Sequence, residues 1–135
     1  MGEMKMEEAT LQTGDYGIKG LERDVRVERK SVSDLVSCMA QKAQRDRFKR
    51  ELERLAAFPE RLVVVEGSFS ELREGEYHSL LHPNAAMSTV ASWWGEFNVG
   101  FMFASSRDSA QEFTRRFLFN AARRFLEQRE RMGIS

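Results

Sequence analysis

A single cysteine, Cys38, rules out a disulfide framework and a thiolate zinc site. With only two histidines, His78 and His82, a cage of nitrogen and sulfur ligands for a transition metal is improbable, so oxygen ligands are the realistic choice for any metal. Neither sign of charge is in excess: 21 Lys+Arg stand against 21 Asp+Glu. That balance argues against an indiscriminate polybasic binder of nucleic acid, though it leaves room for a local basic groove. No apolar run approaches membrane-spanning length and the N-terminus has no apolar signal core, so a cytoplasmic protein without a membrane partner is expected. Repeats, low-complexity blocks and Pro/Gly/Ser-rich linkers are also missing. What remains is a 135-residue chain, 41% apolar and 31% charged, long enough for one domain with a buried core.

Residues 10–30 read as a hairpin: Thr10-Leu11-Gln12, then Tyr16 to Lys19, a turn over Gly20–Asp24, and a strand from Val25 to Lys30. Ser31 or Ser33 caps a following helix, with Asp34 suited to its first turn. Its apolar positions are Val32, Leu35, Val36, Met39 and Ala40, and the pattern resumes at Phe48, Leu52, Leu55 and Ala56. The polar stretch Gln41 to Arg47 is where the helix would break, and Pro59 ends it. Leu62-Val63-Val64-Val65 has the continuous β-branched character of a buried parallel strand. Residues 68–82 are expected to form a polar loop or irregular crossover. A helix starting at Pro83 runs through Trp94, and a second buried strand spans Val99 to Phe103. Ser109-x-x-Glu112 has the capping-box spacing for a final helix with an apolar stripe through Phe113, Phe117, Leu118, Ala121, Ala122, Phe125 and Leu126. This strand–helix alternation predicts an α/β fold with a mixed central sheet flanked by helices.

The chemistry concentrates at Val25-Arg26-Val27-Glu28-Arg29-Lys30. In a strand, Val25 and Val27 point to one face and Glu28 and Lys30 to the other, which puts a carboxylate and an ammonium together on what is expected to be an open face. If Asp15 approaches Glu28, the pair can hold a divalent cation through oxygen, with Lys30 beside it. That set suits phosphodiester hydrolysis, in which the metal activates water and the lysine offsets charge in the transition state. Taken alone, Glu-x-Lys is weak: Glu3-x-Lys5 repeats it where no strand is expected.

The combination is more telling. Gly14-Asp15, then Glu28-Arg29-Lys30, three residues and Asp34 resembles the signature of the XPF-type structure-specific nuclease domain, a branch of the restriction-endonuclease-like fold. Arg45, Phe48, Glu51 and Leu52 fit its Arg-x-x-Phe-x-x-Glu-Leu pattern, and Val65-Glu66-Gly67 its strand ending in Val-Glu-Gly. The resemblance implies that Asp15 and Glu28 coordinate Mg²⁺ or Mn²⁺, helped by the Arg29 carbonyl. It further implies that Lys30 positions water or stabilises the transition state, that Arg29 and Arg45 hold phosphate or acidic site residues, and that Asp34 supports the cluster. Asp15, Glu28, Arg29, Lys30 and Asp34 are thus the implied catalytic set, and Arg29 and Arg45 the implied DNA contacts. The implied activity is a metal-dependent endonuclease acting on branched, flap or junction DNA, working as a homodimer.

One departure stands out. Family members commonly open on a strand carrying Asp-x-Arg-Glu, and Met1 to Thr10 hold Glu3, Glu7 and Glu8 but no such motif. Residues 1–9 are accordingly read as an N-terminal extension or the remnant of an added initiator, and 10–132 as the domain, which is either shortened, read from a misassigned start, or a member that differs; a lost strand would expose a sheet edge that another chain could cover. This gap supports an alternative, a non-cleaving DNA-binding or scaffolding module that dimerises with itself or with an active partner. A small-molecule phosphohydrolase has less support, because there is no Gly-rich phosphate loop and no Asp-x-Asp. Elsewhere, the basic residues of Lys42–Arg54 and the C-terminal arginines suit either phosphate contact or solvated helix faces paired with nearby acids. Trp93-Trp94 reads as one core and one surface tryptophan, His78 and His82 as bystanders, and Phe119, which lies off the apolar stripe, as a marker of a dimer surface.

Overall fold

The computed structural model describes residues 8–10 and 15–133, the first three by their backbone alone. Gly14 of the signature, and Leu11 and Gln12 of the expected first hairpin arm, lie outside the described residues. Among the described residues, five strands form one sheet in the order β1 (Glu8–Thr10), β2 (Tyr16–Ile18), β3 (Val25–Ser31), β4 (Glu60–Glu66) and β5 (Phe101–Ala104). The β1–β2 and β2–β3 pairs are antiparallel, whereas β3, β4 and β5 are mutually parallel. The sheet is therefore mixed, as the strand–helix alternation predicts, and the parallel strands bring their C-terminal ends to a single rim.

Alternation along the strands divides the core into two layers. Val63 and Val65 face a helical layer built from α1 (Val32–Ala40), α2 (Lys42–Leu55), α3 (Phe69–Arg73) and α4 (Pro83–Phe97). Val25, Val27 and Val64 face the opposite side, covered by α5 (Arg107–Arg131) through Ala110, Leu118, Ala121 and Ala122. Because its strand neighbours are parallel and both its faces are covered, β4 needs the unbroken Val63-Val64-Val65 run.

The helix break predicted between Gln41 and Arg47 falls on Gln41, whose extended backbone (φ −117°, ψ 132°) separates α1 from α2; Lys42 onward is helical. Ser31 is the cap of α1, its Oγ accepting from the Asp34 amide at 3.0 Å. Two expectations need correction. The crossover after β4 contains α3, opened by a capping box in which Ser68 and Glu71 exchange bonds, a Ser-x-x-Glu signal in a segment read as loop. The last helix starts at Arg107 with Ser106 as its cap, and Ser109 lies inside it, donating its amide to Ser106 Oγ rather than capping. Two serines three residues apart offer competing registers, and the one nearer β5, Ser106, is used.

Trp93 is core, edge-on to Phe48 with ring centroids 5.3 Å apart, while Trp94 is exposed. His82 has a structural part to play: its Nδ1 accepts from the Asn84 amide and caps α4. Among the described residues, no helix is long and apolar enough to cross a membrane.

Candidate active site

Register builds the site. Tyr16 lies opposite Val27 in the antiparallel β2–β3 pair, and extending that register by one residue puts Asp15 opposite Glu28. Glu28 is only 7% exposed. The expected open strand face is thus a covered one, because α1 and α2 pack over the side of β3 that carries Glu28 and Lys30. Burial pushes the Glu28 carboxyl up to about 9, and hydrogen bonding with Asp15 and the charge of Asp15 act in the same direction, against the opposing effect of Lys30. One carboxylate oxygen of Asp15, Oδ1, is buried without a hydrogen-bond partner. Two acids face each other in a poorly solvated site, and their mutual repulsion is relieved only by a proton or a cation.

Lys30 completes the cluster. Its Nζ lies 3.6 Å from Glu28 Oε1 and 5.1 Å from the centre of the Phe48 ring. With Glu28 holding its proton at neutral pH, that contact is a charge facing a dipole rather than a full ion pair. Burial alone would lower the affinity of Lys30 for its proton, but Cys38, Glu28, Glu51 and Asp34 outweigh it, and the ammonium is held above its ordinary value. The lysine therefore stays cationic and faces a cleft of about 270 Å³ between α1 and α2, shared with Asp34, Cys38, Arg47 and Glu51.

Arg29 points to the other face of the strand. Its guanidinium donates to the Tyr16 hydroxyl and to Glu66 at the end of β4, and it stacks 5.0 Å from the centre of the Tyr16 ring. Of the two implied roles for Arg29, holding an acidic residue is the one this geometry supplies. Asp34 is exposed in the first turn of α1 and borders the clefts on both sides of Lys30. Arg45 is exposed on α2 and lines neither cleft. The arginine that α2 turns toward Lys30 is Arg47. Phe48 is buried, so Gln44, Arg47 and Glu51, at helical spacing around it, are carried to the cleft edge. That stripe was readable once Phe48 was placed in the core.

Directly after the site, Gly67 lets the chain leave β4. Its φ is +152°, and an added Cβ would lie 2.4 Å from Val32 Cγ2 and 2.9 Å from Glu71 Oε2. The glycine of the Val-Glu-Gly pattern is therefore needed for the close approach of α1 to the end of β4.

The donor set of Asp15 and Glu28 fits a hard divalent cation. It consists of carboxylate oxygens, one of them an orphaned buried acceptor. No group of three or more acidic, histidine or cysteine side chains that could hold a metal occurs among the described residues. Mg²⁺ commonly binds through one or two carboxylates and completes its shell with water and substrate phosphate, so two suffice.

A mixed sheet flanked by helices, with Asp15 just before β2 opposite Glu28 on β3 and Lys30 two residues on, has the organisation of the restriction-endonuclease-like fold. Comparison with protein families agrees: the model of the ERCC4 domain matches residues 1–117. The chain belongs to this family, that of the XPF-type nuclease domain, whose members act on DNA structures. No curated protein matches it.

Proposed function

We propose that this chain is a Mg²⁺- or Mn²⁺-dependent endonuclease that hydrolyses phosphodiester bonds in branched, flap or junction DNA. The observation that carries the reading is the pairing of Asp15 with Glu28 beside a cationic Lys30. Asp15 and Glu28 would hold the metal, which supplies Lewis acidity toward the phosphate and lowers the pKa of the attacking water. Glu28 must give up its proton to serve as a ligand, and the charge of the cation offsets the burial that otherwise keeps that proton in place. Lys30, kept charged by its acidic surroundings, faces the phosphate and stabilises the negative charge that builds up in the transition state. Arg29 holds Glu66 and Tyr16 and so stiffens the rim. On the α2 side, Arg47 lines the cleft beside Lys30 and would contact DNA there, with Arg45 exposed on the same helix outside the cleft. The same reading takes the working unit as a homodimer, supported by Phe119 exposed on α5 beside Leu126, which is expected on the buried stripe of that helix but is exposed (39% and 40%).

The test is cleavage of labelled flap and fork DNA in Mg²⁺ or Mn²⁺. Asp15→Asn and Glu28→Gln are each expected to abolish scission, and full cleavage by either would overturn the site. The scaffolding alternative is favoured by the small number of acids at the metal position. It predicts salt-sensitive binding of the same DNA with no scission under either metal.

A further inference from the structure

Lys30 borders two clefts. One lies toward α2 and ends at Arg47; the other, also about 270 Å³, lies on the rim between β3, β4 and the start of α5 and ends at Arg107. Asp34 is shared by both. The acids of the rim cleft are Glu66, which is neutralised by Arg29, and Asp34. Lys30 and Arg107 are its remaining cations.

Arg107, Arg129 and Arg131 are the arginines of α5 without a side-chain partner among the described residues, and of the three only Arg107 lines the rim cleft. Arg116, Arg123 and Arg124 pair with Glu112, Glu127 and Glu60, whereas Arg107 is exposed and makes no ion pair or hydrogen bond with any described residue. It is also the first residue of the helix, where a cation opposes the macrodipole. Helix stability therefore does not account for an arginine there, and neither does a partner among the described residues. Ser106 caps the helix shortly after β5, so a rigid junction carries the guanidinium to the rim. A planar five-donor group in that position suits a phosphate diester.

We infer that Arg107, together with Lys30, forms a second phosphate-binding position on the α5 side of the site, so that a DNA strand crosses the rim between Arg47 and Arg107. This rests on the reading of the rim as a DNA site. The test is fluorescence anisotropy of labelled fork DNA in EDTA over a series of salt concentrations, comparing the unmodified chain, Arg107→Ala, Arg107→Lys, and Arg131→Ala as a change of equal charge at the far end of α5. Loss of one phosphate contact should make the slope of log affinity against log salt shallower by about 0.9 on duplex or about 0.7 on single strand, and weaken binding about eightfold near 0.1 M salt on duplex. Arg107→Lys should keep most of the slope, and Arg131→Ala all of it. An unchanged slope in Arg107→Ala, or an equal loss in Arg131→Ala, overturns the assignment while leaving the DNA reading intact. An unmodified chain that does not bind DNA overturns both.

Discussion

Arg29 and Glu66, 37 residues apart in the chain, form an ion pair across the parallel β3–β4 strands, with the Tyr16 hydroxyl accepting a second guanidinium proton. The Arg29 side chain is 9% exposed and that of Glu66 27%, so removing one partner strands a poorly solvated charge. Glu66→Ala should therefore cost about 3 kcal/mol, the lower end for breaking a buried pair, and Tyr16→Phe about 1 kcal/mol. Urea denaturation at neutral pH measures both. Equal stability of Glu66→Ala and the unmodified chain would mean that the pair is solvated and optional.

Glu28 makes stability depend on pH. Its folded-state proton affinity, raised from 4.5 to about 9, exceeds that of the unfolded chain. The stabilisation linked to its proton is therefore fully present below about pH 4.5, declines as pH rises, and is gone above about pH 9. Metal-free protein should lose stability across this window, and Glu28→Gln, which cannot ionise, should flatten the dependence. Denaturation in EDTA at several pH values is the measurement, and parallel curves for the two proteins would refute the raised affinity.

Divalent metal should act in the opposite sense. Binding requires Glu28 to ionise, so affinity should rise with pH and each binding event should release protons. Calorimetry of Mn²⁺ binding in buffers of different ionisation enthalpy reads the proton count. Binding with no proton release would separate Glu28 from the metal.

Lys30→Met keeps the length of the side chain over Phe48 but removes its charge. It should lower kcat roughly 10²-fold or more while changing folding stability by no more than about 1 kcal/mol. Single-turnover cleavage with saturating protein separates this from weaker binding. Unimpaired single-turnover cleavage would exclude lysine from the chemical step.

Gly67→Ala tests the junction at the end of β4. The new methyl would meet Val32 Cγ2 at 2.4 Å on a backbone that L-residues rarely adopt. A loss of about 1–3 kcal/mol is expected, with the shift felt in α1, which carries Asp34. Thermal unfolding checks the first effect, and cleavage per folded molecule the second.

Much of this was legible in the linear chain because it depends on neighbours in sequence. Period-two alternation set the faces of β3, the β-branched run at Val63–Val65 marked the parallel strand, and the polar stretch beginning at Gln41 marked the break between α1 and α2. The spacing of Asp15, Glu28-Arg29-Lys30 and Asp34 carried the resemblance to the nuclease family, and the shortage of cysteine and histidine left oxygen as the metal donor. Tertiary structure decided the rest. Pairing of β3 with β4 gave Arg29 to Glu66, and packing around Phe48 brought Arg47 and Glu51 to the cleft while Arg45 stayed outside. The cover of α1 and α2 turned Glu28 from a solvated carboxylate into a buried acid that holds its proton. These outcomes depend on register, burial and local dielectric, which arise between segments distant in sequence; helical spacing around Phe48 shows which α2 side chains share a face, but not what that face lies against.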